Sequence, residues 1–175
     1  AFALRYFSAL GGMVLVVVAL LVTRELDDLL TGLLAAAMLA VNLLWLAVAH
    51  VGRQEIWLAV FVWAAVGLSL ASTRRNSTAL ALAGGIVAAL SADVHPLGVY
   101  ACVALGTWWL ARRRSRRLLL AFAAGGLAGT IYYLLAHVLP DPAAFISAIR
   151  GELTSYGAEG WNPLEAMVAR HLNYV

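Results

Sequence analysis

Seven ionisable side chains that could bind or transform a ligand stand in or near the ends of long apolar runs. They are His50, Arg53, Glu55, Asp93, His95, His137 and Asp141. An Arg guanidinium binds phosphate through a fork of two N–H donors, and an imidazole donates to a phosphate or ligates a metal beside a carboxylate. Glu55 is placed to orient Arg53 or to hold a cation. Arg53, Glu55 and His95, which Pro96 follows, therefore favour a site for a phosphate-bearing ligand.

The same three side chains also have purely structural explanations, and the sequence leaves both open. Arg53 and Glu55 equally fit a partly solvated ion pair at a membrane boundary. His95 equally fits a cap on the preceding helix, or a residue that faces water.

The outlying members of the set favour structural roles. His50 and His137 are typical of membrane interfaces, and Asp141, which directly precedes Pro142, indicates a helix N-cap. No His-x-x-x-His spacing supports a metal site, so a divalent metal ion is one option and its identity is unknown.

Long apolar runs make up most of the chain and must position these side chains. Of the 175 residues, 63% are hydrophobic and 12% are charged, whereas soluble domains carry about 25% charged residues. A helix needs roughly 20 apolar residues to cross the ~30 Å of hydrocarbon in a bilayer. The sequence divides into six apolar runs, of which the fourth and fifth are short, at 3–22, 29–49, 56–71, 78–92, 97–111 and 118–139.

The runs are continuous rather than alternating, which predicts helices and argues against barrel strands. The predicted fold is all-α, a polytopic transmembrane helical bundle of about six spans over residues 1–139. Residues 93–97 predict a tight turn between two spans. Residues 140–175 are more polar and predict a short extracytoplasmic helical segment at the C-terminal end.

Arginines are unevenly distributed between the two sides of the predicted bundle. Cytoplasmic loops of membrane proteins carry an excess of basic residues. Four arginines fall on the side that also carries the seven ionisable groups, and eight fall on the other side, namely Arg24, Arg74, Arg75, Arg112, Arg113, Arg114, Arg116 and Arg117. We therefore predict that the second side is cytoplasmic and that the ionisable groups face outward.

Small residues and tryptophans are expected to serve packing and anchoring. Gly125 and Gly129 form a Gly-x-x-x-Gly spacing, which lets two membrane helices approach closely. Trp57, Trp108 and Trp109 stand near span ends, where interfacial aromatic residues are common.

The order of these pieces resembles the GT-C membrane glycosyltransferases, the class of the protein mannosyltransferases and the lipid A aminoarabinose transferase. Residues 50–55 are similar to the Arg-Pro-Glu segment of that family, with Gln54 where proline is common. The glycines of residues 82–85, followed by residues 91–98, resemble a glycine-bearing span that ends in a Thr-His-Pro type of turn. Two further stretches resemble the start of a span and the start of an outer segment, at 4–12 and 140–145.

The resemblance implies a glycosyltransferase that takes a sugar from a polyprenyl-phosphate donor and transfers it at the extracytoplasmic face. It implies Arg53 and His95 as donor-phosphate ligands, with Glu55, His50 and Asp93 in support. The acceptor is unknown, no cofactor is certain, and no nucleic acid is implied. The family's general base lies in an outer loop that we expect upstream of Ala1, so we expect an internal piece that is inactive alone.

Two other function classes stay open. A segment of a polytopic transporter or flippase also carries charges near the membrane, although no inverted repeat is visible. A structural membrane subunit would need the outer polar residues only to meet water. In every case we expect an integral membrane protein, of a bacterial or archaeal plasma membrane under the glycosyltransferase hypothesis.

Overall fold

The computed structural model describes residues 2–42, 55–95, 97–112 and 115–155 of the chain. The chain forms two compact units, Ala1–Tyr132 and Tyr133–Val175. The described residues form seven α-helices and one π-helical turn, and no strand occurs among them. In order these are α1 (Phe2–Leu26), α2 (Leu29–Ala40), α3 (Glu55–Arg75), α4 (Thr78–Val94), α5 (Gly98–Arg112), α6 (Arg116–Tyr133), the π-helical turn (Leu134–Val138) and α7 (Pro142–Ser155). The all-α prediction is confirmed.

Within the described ranges, three stretches are long and apolar enough to cross a membrane: Arg5–Leu26, Glu55–Arg75 and Arg116–Val138. The helices α4 and α5 have 17 and 15 residues, which at 1.5 Å per residue gives about 25 Å and about 22 Å. They are apolar but shorter than the ~30 Å of hydrocarbon. The second predicted run, 29–49, continues past the residues that the structure describes.

Large apolar side chains cover the outside of the first unit. Tyr6 and Met38 are each 73% exposed, and Leu120 is 68% exposed. Burying such side chains away from water is worth about 1.5–3 kcal/mol each, so a water-exposed surface of this kind would be unfavourable. A bilayer solvates it, and the protein is an integral membrane protein.

Helices α1 and α3 run parallel, as contacts at both of their ends demonstrate. At their starts, the indole N–H of Trp57 donates to the carbonyl of Phe7 at 3.2 Å, and the two rings stack at 4.7 Å. At their ends, the Glu25 carboxylate pairs with Arg75 and lies 3.9 Å from Arg74. The Arg74 guanidinium also donates to the carbonyl of Leu26 at 3.0 Å.

The Gly-x-x-x-Gly prediction is confirmed in a close contact between α4 and α6. A methyl group at Gly85 would overlap the backbone of Phe122, and one at Gly125 would overlap the carbonyl of Leu82. The two backbones therefore touch where neither helix carries a side chain, as small residues permit in membranes. Gly125 lies beside Leu82, and Gly129, one turn later in α6, lies beside Ala89, later in α4. The two helices α4 and α6 therefore run parallel.

The core of the first unit lies among α3, α4, α5 and α6, and Trp109 is part of it. This indole is 3% exposed and packs on the ring of Phe122, with ring centroids 5.6 Å apart. Its N–H donates to the buried hydroxyl of Ser69 at 3.4 Å. The expectation that Trp109 is interfacial is therefore wrong, because a polar partner inside the bundle satisfies its N–H.

Candidate functional site

The start of α3 and the end of α4, which both carry predicted site residues, lie at the same end of the first unit. A two-residue connection, Asn76 and Ser77, joins α3 to α4, and the position of Gly84 beside Ser69 indicates that the helices run antiparallel. The start of α3 and the end of α4 therefore lie together. We call this end of the first unit the site end; it carries Glu55, Asp93 and His95.

The opposite end of the first unit carries most of its described arginines. The end of α1, the end of α3 and the start of α6 place Arg24, Arg74, Arg75, Arg116 and Arg117 there. Because α4 and α6 are parallel, the start of α6 lies at the end away from His95. Arg5, near the start of α1, lies at the site end, as the sequence predicted. The excess of arginines at the end away from the ionisable groups thus holds for these helices.

His95 closes α4 and is fixed by three hydrogen bonds. Its backbone N–H donates to the carbonyl of Ser91 at 3.2 Å, and its own carbonyl accepts from the N–H of Gly98 at 2.8 Å. The ring atom Nδ1 accepts from the N–H of Leu97 at 3.2 Å. The helix-cap interpretation is therefore confirmed, and the opposite nitrogen, Nε2, stays the one that can donate to a ligand.

A short turn forms here because α4 and α5 pack closely at their junction. The buried hydroxyl of Ser91 donates to the carbonyl of Ala88 at 2.6 Å and lies 3.3 Å from the carbonyl of Gly98. A methyl group at Gly98 would overlap the Ser91 backbone. The predicted turn over residues 93–97 is therefore confirmed for its described residues, although Asp93 and Val94 still belong to α4.

Asp93 stands at an apolar cleft of about 450 Å³. One wall is α4, where Ile86, Leu90 and Val94 recur every four residues and so share one face. The remaining lining comes from α3 and α6, through Phe61, Ala128, Gly129 and Tyr132. From Ile86 to Val94 the cleft follows α4 for about 12 Å, at 1.5 Å per residue.

Sequence reasoning missed Phe61 and Tyr132 as parts of this cleft. Both belong to continuous apolar runs, and their residue types are common on lipid-facing surfaces. Nothing in the local pattern distinguishes a ring that lines a cleft from one that faces lipid. The cleft exists only because α3 and α6 both flank α4.

Two predicted site residues, His50 and Arg53, lie outside the described residues. The assignment of Arg53 as a donor-phosphate ligand, and its pairing with Glu55, stay predictions. Of the five residues assigned to the site, the structure brings Glu55, Asp93 and His95 to the same end.

The two outlying groups, His137 and Asp141, belong to the second unit. Asp141 caps α7, because its Oδ1 accepts from the N–H of Ala144 at 2.9 Å, and the N-cap prediction is confirmed. His137 lies in the π-helical turn, and its ring centroid is 5.3 Å from that of Tyr133.

No group of three or more metal-binding side chains occurs within the part of the chain that the structure describes. A divalent metal ion is therefore not assigned to any residue. No family model matches the sequence, and neither the curated proteins nor the solved structures contain a significant match.

Proposed function

We propose that this chain is part of an integral-membrane glycosyltransferase. In this proposal a polyprenyl-phosphate sugar binds at the site end, and the sugar is transferred to an acceptor on the extracytoplasmic face. Arg53 and His95 contact the donor phosphate, and Glu55 orients Arg53. The basis is the resemblance of the sequence motifs to the GT-C class, together with the arrangement of the site end.

The observation that supports the proposal best is the shared location of Glu55, Asp93 and His95. Groups that could handle a phosphate and a sugar gather at one end of the bundle, whereas Arg74 and Arg75 of the opposite end pair with Glu25. Ionisable side chains near a bilayer are costly and tend to mark substrate paths. An apolar cleft also begins beside Asp93, within reach of the bilayer.

The His95 side chain offers the sharpest test, because its two nitrogens have separate tasks. In His95→Asn, the amide oxygen can still accept from the Leu97 N–H, as in an Asx turn. The variant therefore keeps the turn but lacks a donor in the position of Nε2. We expect transfer from a panel of polyprenyl-phosphate sugars, measured in the protein that carries this chain, to fall at least tenfold with the melting temperature unchanged.

His95→Ala is the companion variant, since it removes both the turn acceptor and the phosphate donor. It should lose activity and also melt at a lower temperature. Unchanged sugar transfer in His95→Asn would remove His95 from the donor site. Solute flux through the reconstituted protein without sugar transfer would favour a transporter instead.

A further inference from the structure

Two arginines in the first turn of α6, Arg116 and Arg117, carry positive charge that the described part of the chain does not neutralise. Both are exposed, and no acidic side chain among the described residues pairs with either of them. Arg74 and Arg75 lie at the same end of the first unit, but they pair with Glu25. The two pairs of arginines therefore differ in whether the protein itself supplies the counter-charge.

The other described carboxylates of this end form hydrogen bonds within α2. Asp27 accepts from the hydroxyl of Thr31 at 2.9 Å, and Asp28 accepts from the backbone N–H of Thr31 at 2.7 Å. The start of a helix also has a partial positive charge, so the backbone of α6 adds to the charge of the two guanidinium groups. An anion from outside the described chain would therefore be stabilised beside Arg116 and Arg117.

An exposed apolar stripe continues from these arginines along α6. Leu120, Ala124 and Leu127 follow Arg116 at intervals of three or four residues, so the four share one face of the helix. Leu120 and Leu127 are 68% and 62% exposed. From Arg116 to Leu127 the stripe is about 16 Å long, at 1.5 Å per residue. This is close to one leaflet, which is half of the ~30 Å of hydrocarbon in a bilayer.

The order of charge and hydrocarbon along this face matches a phospholipid. A phosphate accepts two parallel N–H bonds from a guanidinium group, and an acyl chain attached to it can follow the apolar stripe. A second copy of this chain, packed side by side in the same orientation, would place its own Arg116 and Arg117 at the same level, where like charges repel. In a zwitterionic lipid the cationic head group offsets the phosphate charge, so an anionic lipid is favoured.

We propose that the start of α6 binds an anionic phospholipid, with its phosphate at Arg116 and Arg117 and one acyl chain along Leu120, Ala124 and Leu127. The positive-inside assignment places this lipid in the cytoplasmic leaflet. The lipid site lies at the end of the first unit opposite the site end. It does not require that the chain transfers sugars.

Competition between two lipids with the same acyl chains tests the head-group preference. The protein that carries this chain is given equal amounts of dioleoylphosphatidylglycerol and dioleoylphosphatidylcholine in detergent, and native mass spectrometry counts the lipids it retains. We expect phosphatidylglycerol to be retained about fivefold more, the effect of roughly one arginine near an anionic surface. Displacement by an equal concentration of glycerophosphoglycerol, the head group without acyl chains, would contradict the acyl-chain contact.

Two double variants locate the preference. Arg116→Gln combined with Arg117→Gln should lower the retention ratio by at least about threefold. Arg74→Gln combined with Arg75→Gln is the matched control, because it removes two arginines from the same end that Glu25 already neutralises. The control should keep the ratio. An unchanged ratio in the first variant, or an equal loss in both, would overturn the proposal.

Photo-crosslinking of the wild-type protein in nanodiscs locates the acyl chain and does not depend on the folding of a variant. A phosphatidylglycerol with a diazirine in the middle of one acyl chain should label residues 120–127 of α6. The same diazirine in phosphatidylcholine should label them about threefold less or weaker still. Equal labelling by the two lipids, or labelling spread evenly over α1, α3 and α6, would contradict a site at the start of α6.

Discussion

Residues at helix ends fix the turns of this bundle, and Asn76 is the most constrained of them. It follows the last residue of α3 with φ of 49°, and it is the non-glycine residue with positive φ among those described. Side chains with a Cβ pay about 1–2 kcal/mol in this left-handed conformation, although Asn tolerates it better than most. Asn76 therefore lets α3 stop and α4 begin two residues later.

Replacing Asn76 should separate the roles of side chain and backbone. Asn76→Gly is expected to keep or slightly raise the melting temperature, because glycine adopts positive φ freely. Asn76→Val is expected to reduce the free energy of unfolding by about 1–2 kcal/mol. A thermal melt in detergent measures both, and equal stability of the two variants would contradict the assigned conformation.

Asp28 predicts a pH dependence at the start of α2. Its Oδ1 accepts from the backbone N–H of Thr31 at 2.7 Å, and this bond holds the pKa of the carboxyl below its ordinary value. The folded state thus favours the ionised form. Its stabilising effect is complete above the pKa of the unfolded chain and is lost as the pH falls through the folded pKa.

We expect the stability difference between wild type and Asp28→Asn to shrink as the pH falls from about 5 to about 3. Asn keeps an oxygen for the Thr31 N–H but carries no charge, so its own stability should not titrate at this position. Parallel melting curves across this pH range measure the difference. A difference that stays constant would show that the ionised carboxylate does not stabilise the helix.

Glycines, which have no side chain, allow helices α4 and α6 to pack closely. Between α4 and α6, Gly85, Gly125 and Gly129 allow the two backbones into contact, and a methyl group at Gly129 would lie 2.6 Å from the Cβ of Ala89. The neighbouring Gly126 is different, because a methyl group there would meet its nearest atom at 3.9 Å. Two consecutive glycines of one helix therefore have opposite expected responses to alanine.

Gly125→Ala should lower the free energy of unfolding by about 1–3 kcal/mol, because the added methyl group forces the helices apart. Gly126→Ala should raise it by about 0.5–1 kcal/mol, since alanine favours the helix and has room. Thermal unfolding of both proteins in the same detergent measures the contrast. Similar destabilisation by both would argue against the described contact of α4 with α6.

The first unit as a whole has two chemically different ends. Glu55, Asp93 and His95 lie at one, and the pairing of Glu25 with Arg74 and Arg75 lies at the other. The pairing links α1 to α3, but the arginines are 49% and 62% exposed, so solvent screens it and its contribution is at most about 1 kcal/mol. The pairing is mainly informative about geometry, because it shows that the end of α1 lies beside the end of α3.

Single cysteines should label from opposite sides of the membrane. In a Cys102→Ala background, Leu97→Cys at the site end should react with an impermeant maleimide from the extracytoplasmic side. Asp27→Cys, which lies beside the Glu25 cluster, should react only after permeabilisation. Labelling of both from one side would contradict the shared orientation of α1 and α3, and reversed labelling would contradict the positive-inside assignment.

Composition and run length were sufficient to predict helices, because lipid cannot satisfy backbone groups and helix is the state that pairs them internally. Local chemistry likewise predicted the turn over residues 93–97 and the cap at Asp141, and it gave a helix cap as one of the explanations of His95, since each of these features forms within a few residues. The Gly-x-x-x-Gly spacing predicted a close helix contact but not its partner, α4.

The arrangement of the helices, the burial of Trp109 and the lining of the cleft depend on tertiary packing. Which helices are neighbours depends on contacts between residues far apart in sequence, as for Trp57 with Phe7 or Arg75 with Glu25. The burial of Trp109 and the lining of the cleft by Phe61 and Tyr132 have the same origin. An apolar side chain has the same local pattern whether lipid, a cleft or another helix covers it, and only the assembled bundle distinguishes the three.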